Sequence, residues 1–109
     1  MKKFYIFLAT VCCLSSSIFA QLNIEIVGQL PYDDQLSNLV GWSDGAGNEY
    51  AIVGTYDGTS IVDVTDPTDP VEVQFIDGNN SIWREVRTWS NFAYVVTESG
   101  GGLLCIDLS

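Results

Sequence analysis

Apolar and polar residues alternate along most of this chain, and short clusters of Gly, Pro, Asp, Asn and Ser cut the alternation. A period of two is the mark of strands, whose side chains point to opposite faces in turn. Leu22, Ile24 and Ile26 alternate with Asn23 and Glu25, which predicts a strand over Leu22 to Val27. Leu30-Pro31-Tyr32-Asp33-Asp34 interrupts it, because proline cannot donate to a ladder and restricts the residue before it. Leu36 to Trp42 is a weaker apolar segment, and Ser43 to Asn48 reads as a hairpin loop. Glu49 to Tyr56 and Thr59 to Val64 then flank Asp57-Gly58, the strongest short-range hairpin signal in the chain. Both strands are apolar on both faces, as suits the inner strands of a sheet stacked between others. Asp66-Pro67 and Asp69-Pro70 stop the second strand and hold the connection extended. Val71, Val73 and Phe75 alternate with Glu72 and Gln74, an edge strand with one wet face. Further strands are expected over Ile82 to Trp89, Phe92 to Thr97 and Leu103 to Leu108, with turns at Ser90-Asn91 and Ser99 to Gly102. No segment combines helix caps with an apolar stripe, so the expected fold class is all-β.

The strand pattern repeats. Tyr50, Ala51, Val53 and Thr55 recur as Phe92, Ala93, Val95 and Thr97, at an offset of 42. Gly58, Val62, Asp63, Val64 and Thr65 recur as Gly102, Ile106, Asp107, Leu108 and Ser109, at an offset of 44. Upstream, Leu36, Leu39 and Trp42 match Trp83, Val86 and Trp89 at an offset of 47. The changes in offset fall in loops, where insertions are tolerated. One unit is therefore four strands in 42 to 47 residues, the size of a β-propeller blade, and about two blades are present. Leu22 to Val27 resembles Val71 to Ile76, the fourth strand of the unit. A fourth-type strand ahead of the first unit is what ring closure requires, so it is expected to complete a last blade that this chain does not contain.

The first 20 residues stand apart from this pattern. Lys2 and Lys3 precede an apolar run from Phe4 to Leu14, and Ser15 to Ser17 lead to Ile18-Phe19-Ala20. That is the layout of a secretory signal peptide cleaved after Ala20, and the run is too short to span a bilayer. The expected organisation is a signal peptide over 1–20 and a β domain over 21–109. Export follows, to the cell surface, the medium or the periplasm. Without the leader, 14 acidic residues face only Arg84 and Arg87, a charge of −12, with no lysine and no histidine. Such a balance argues against nucleic acid or an anionic membrane surface as a partner. Cys105 is the only cysteine left, so no disulfide forms within the domain, and its neighbours Leu104 and Ile106 suggest a small buried hydrophobe.

Gly-Thr-Ser-Ile-Val-Asp-Val-Thr-Asp-Pro at 58–67 resembles the LVIVD repeat, a bacterial propeller repeat. Leu-Pro-Tyr at 30–32, Gly-Asn-Glu-Tyr-Ala at 47–51 and Ser-Ile-Trp-Arg-Glu at 81–85 complete a combination similar to the N-terminal part of the choice-of-anchor B family. The resemblance covers Leu22 to Ser109. It implies an exported propeller body that ends in a surface-anchoring or sorting signal, with this chain as roughly its first quarter. It implies no catalytic residue and no cofactor.

Trp83-Arg84-Glu85 is the candidate binding site. It opens the first strand of the second unit, which in a propeller is innermost and near the channel mouth. Arg84 and Glu85 could bind a polar ligand or each other; the plainer alternative is a structural pair between units beside a packing tryptophan. Gly58, Asp63, Asp66, Pro67, Gly102 and Asp107 mark turns and the repeat. Asp44 to Glu49 offers oxygen ligands but lacks the alternating spacing of a calcium loop, so no metal is implied. Without histidine there is no Ser-His or Cys-His pair, and no carboxylate pair can be placed across a cleft. The leading expectation is a binding or scaffold module for a protein or glycan ligand. The alternative is a hydrolase or lyase whose catalytic residues lie on blades outside this chain.

Overall fold

The computed structural model describes residues 24–109. The signal-peptide reading and Leu22-Asn23 lie outside them. The described residues form seven strands and no helix: β1 Leu36–Ser43, β2 Glu49–Thr55, β3 Gly58–Asp63, β4 Val71–Asp77, β5 Arg84–Trp89, β6 Phe92–Thr97 and β7 Leu104–Asp107. They make two antiparallel sheets that do not close, one in the order β1-β2-β3-β4 and one in the order β5-β6-β7.

The sheets pack face to face. Ile52 on β2 and Ile61 on β3 are paired across the ladder and meet Val86, Ala93, Val95 and Ile106 of the second sheet. Ile52 and Val86 have no exposed surface, and a fully buried side chain of that size is worth about 1.5–3 kcal/mol. Trp42 closes one end of this core. It stacks on Tyr50 with ring centroids 5.6 Å apart, and its indole Nε1–H donates to the Ser90 carbonyl of the other sheet at 2.9 Å. Where β1 meets β5 the joint is polar. Ser37 Oγ accepts the Arg84 N–H, and Asn38 Oδ1 accepts the Val86 N–H. Side chains of β1 thus satisfy the free backbone edge of β5.

The chain ahead of β1 crosses the far face of the first sheet. Tyr32 Oη and Ser60 Oγ are 2.8 Å apart, Ser60 Oγ donates to Glu72, and Asp34 accepts the Asp57 N–H. A bulge explains how Glu72 reaches Ser60. Gln74 pairs with Ile61 but Glu72 pairs with Val62, so Val73 is the extra residue and the alternation of β4 inverts there. The expected apolar face of this edge strand is lost as a result: Val71 and Val73 are about half exposed, and Glu72 turns onto the sheet.

Ile24 to Val27 form no strand among the described residues, and Ile24 and Ile26 are 80% and 83% exposed. The partner expected for this segment lies on a blade outside the chain, and a strand needs a ladder partner that none of the described residues supplies. Two further expectations change. The β2–β3 connection is Tyr56-Asp57, not Asp57-Gly58. Gly58 is already the first residue of β3, paired with Asp77, and its φ is not positive. A glycine is needed there for space, since a Cβ would lie 2.3 Å from the Ile76 carbonyl and 2.8 Å from the Phe75 ring. Gly102, its match in the repeat, has φ +76° and open space around it. Cys105, expected inside, is exposed.

Candidate functional site: a cleft between the sheets

The start of β1, the segment entering β5 and the end of β6 enclose a cleft of about 530 Å³. Leu36, Ile82, Trp83 and Val96 supply its apolar wall, and Asn38, Glu85 and Glu98 its polar rim. The local chain explains why Trp83 faces outward. Ser81 is buried, its backbone N–H donates to the Tyr56 carbonyl, and its hydroxyl bonds both the N–H and the carbonyl of Trp83 at 3.0 Å. The backbone is pinned at Ser81 while the indole, 70% exposed, projects from the surface.

The three residues singled out in the sequence all reach this cleft but do different things there. Arg84 is only 4% exposed. Its Nε–H donates to the Thr55 carbonyl at 3.1 Å and its Nη2 to the Asn79 carbonyl at 2.7 Å, so the guanidinium is spent joining the β2–β3 and β4–β5 connections. Burial lowers its pKa and the Asp34 carboxylate opposes that shift; at an arginine's range the charge persists. Glu85 does not pair with Arg84. Its partner is Arg87, two residues on along the same face of β5; the Arg87 side chain is largely in solvent and that of Glu85 is half-buried.

The sequence-marked turn residues sit elsewhere. Asp63 Oδ1 accepts the Thr65 N–H at 2.8 Å, and Asp107 Oδ1 accepts the Ser109 N–H at 3.0 Å and its hydroxyl at 2.8 Å. Asp66 Oδ1, just before Pro67, accepts the Thr68 hydroxyl at 2.7 Å and the Thr68 N–H at 2.9 Å. Hydrogen bonds from the Thr68 side chain, then from its backbone, hold the Asp66 carboxyl below its ordinary range. Gly58 and Gly102 do not line the cleft.

Sequence reasoning missed Asn38, Glu98 and Val96 as parts of the site. A signal was present for the first: Leu36, Ser37 and Asn38 precede Trp83, Arg84 and Glu85 by the same 47 residues that relate the units. Matching positions of two units thus meet at one cleft. Nothing local marks Val96 or Glu98, which arrive through the β5–β6 ladder, where Val96 pairs with Glu85. Among the described residues no group of three or more His, Cys, Asp or Glu side chains converges as a metal site would need. No family model, curated protein or solved structure matches the chain.

Proposed function

We propose that the two sheets are successive blades of an exported bacterial β-propeller of the LVIVD type, similar to the choice-of-anchor B proteins. In this reading it serves as a binding or scaffold module at or outside the cell surface. The observation that carries the reading is the equivalence of the two ladders. Trp42 pairs with Tyr50 and Ile52 with Ile61; at the matching repeat positions Trp89 pairs with Phe92 and Tyr94 with Cys105. The first of these faces is packed on the second sheet, and the second faces outward with Trp89 78% and Phe92 41% exposed. Each sheet offers the same face in the same direction, which is the relation between stacked blades. The outward face would then receive the next blade of the whole protein.

Function in such a scaffold resides in its loops and clefts rather than in the fold. The cleft at Trp83 supports a binding role, because a large exposed aromatic in an apolar concavity is a recurrent feature of recognition sites. Export is tested by expressing the chain with and without residues 1–20 in a bacterial host, followed by fractionation and intact-mass analysis. The expected result is an exported species beginning at Gln21 only when the leader is present. Retention of the full chain in the cytoplasm would overturn the export reading.

A further inference from the structure

We propose that residues 28–34 are a strap that closes the first sheet against sheet-on-sheet stacking, and that the partner it keeps off is a second copy of this chain. The proposal rests on the stacked-sheet relation of the reading above, and not on export or on a ligand. The face concerned is the one turned away from the second sheet. Ala51 pairs with Val62 and Val53 with Ser60, and all four lie opposite Ile52 and Ile61. In the repeat, Ala51, Val53 and Val62 match Ala93, Val95 and Ile106, the residues on which the first sheet rests. By that equivalence this is a stacking face, yet no sheet lies on it among the described residues. It is closed all the same: Val53, Val62 and Ser60 are 7%, 3% and 0% exposed.

The cover is the chain ahead of β1. Gly28, Leu30, Tyr32 and Asp34 are half-buried, while Gln29, Pro31 and Asp33 between them are exposed. An extended segment lying on a sheet presents its residues in this alternation. Gly28 passes so close to the β3–β4 connection that a Cβ there would stand 2.2 Å from the Pro67 carbonyl oxygen. At the other end Asp34 accepts the Asp57 N–H at 3.0 Å, and the Gln35 carbonyl accepts the Tyr56 N–H at 2.8 Å. In the middle Ser60 donates to Glu72, so the Tyr32 hydroxyl donates to Ser60, at 2.8 Å. The second unit carries Leu104 where the first carries Ser60, at the same offset of 44. A sheet docked directly on this face would displace Tyr32 and take the exposed Glu72 carboxylate out of water. Ser60 and Glu72 therefore suit a strap rather than a blade. No strand pairing ties the strap down, so it can leave while the ladders stay intact.

The test follows the whole chain, so that residues 1–20 weigh equally on parent and variants. Amide exchange read by mass spectrometry reports the strap, with β6 as the check that the sheets stay folded, and sedimentation velocity reports assembly. Tyr32→Phe removes one hydroxyl and should speed exchange over residues 29–33 about threefold or more. Tyr32→Ala should release the strap further and produce a concentration-dependent series of larger species that the parent lacks. Growth follows because the freed face and the outward face of the second sheet are different and complementary, a head-to-tail contact that does not stop at two copies. Trp89→Arg, on that outward face, should cancel the growth when added to Tyr32→Ala. Should Tyr32→Ala loosen β6 as well, Tyr32→Phe carries both readouts. Strap amides that exchange alike in the parent and Tyr32→Phe would overturn the proposal. Fast strap exchange without added assembly would also overturn it, as would growth that persists with Trp89→Arg. None of these results bears on export, which fractionation reads separately, or on the seam between the two sheets.

Discussion

Replacing Gly58 by alanine tests whether this glycine exists for space or for turn geometry. Its φ is not positive, so alanine introduces no backbone strain of its own. The added methyl would lie 2.3 Å from the Ile76 carbonyl oxygen and 2.8 to 2.9 Å from two carbons of the Phe75 ring. A carbon and an oxygen in ordinary contact stand well above 3 Å apart, so the backbone of β4 must retreat by roughly 1 Å. That retreat strains the end of the β3–β4 ladder where Gly58 pairs with Asp77 and Thr59 with Ile76. Overpacking of this kind costs about 1–3 kcal/mol, and loosening one or two ladder hydrogen bonds adds about 0.5–1.5 kcal/mol each. Gly58→Ala should thus destabilise the chain by about 2–4 kcal/mol. Gly102→Ala is the control: φ +76° there costs about 1–2 kcal/mol, but nothing lies near the new methyl. Urea unfolding followed by tryptophan emission measures both. Should Gly58→Ala unfold within about 0.5 kcal/mol of the parent, or prove milder than Gly102→Ala, the close-approach argument fails.

Ile52→Ala removes a fully buried side chain from the seam between the sheets and should cost about 2–5 kcal/mol in the same urea assay. An effect below 1 kcal/mol would mean that the sheets are not held together by that core. For Asp66 the folded pKa is depressed, so its contribution is complete above the unfolded value near 4 and is lost as pH falls through the folded value. The parent should therefore be more stable than Asp66→Asn at neutral pH, with the gap closing below about pH 4. A gap that stays constant down to pH 2 would show that the Thr68 hydrogen bonds do not favour the ionised form.

Most of the strand content was legible because it is written locally. Alternation at Val86, Thr88, Ala93 and Val95 and turn formers at Ser90-Asn91 define elements from neighbours alone, and Ser90 does adopt the positive φ, +52°, that a tight hairpin turn uses. The candidate site was legible only in part. Ser-Ile-Trp-Arg-Glu drew notice to Trp83, but the role of Arg84 depends on two carbonyls, Thr55 and Asn79, that lie 29 and 5 residues away. A charged side chain reads as a ligand-binding group in a sequence whether its partner is a ligand or a distant backbone oxygen.

The same division runs through the whole molecule. By itself the sequence determined the all-β character of the described residues, most of their turns and the strongly acidic balance, because each depends on residue type and short-range spacing. Tertiary structure alone decided that Val73 bulges and turns Glu72 onto Ser60, and that Gly58 is required for clearance. It also decided that Leu36, Trp83 and Val96 share one cleft. Those outcomes depend on which backbone edge meets which and on the register of the meeting. A single residue's shift there exchanges the buried and exposed faces of a strand.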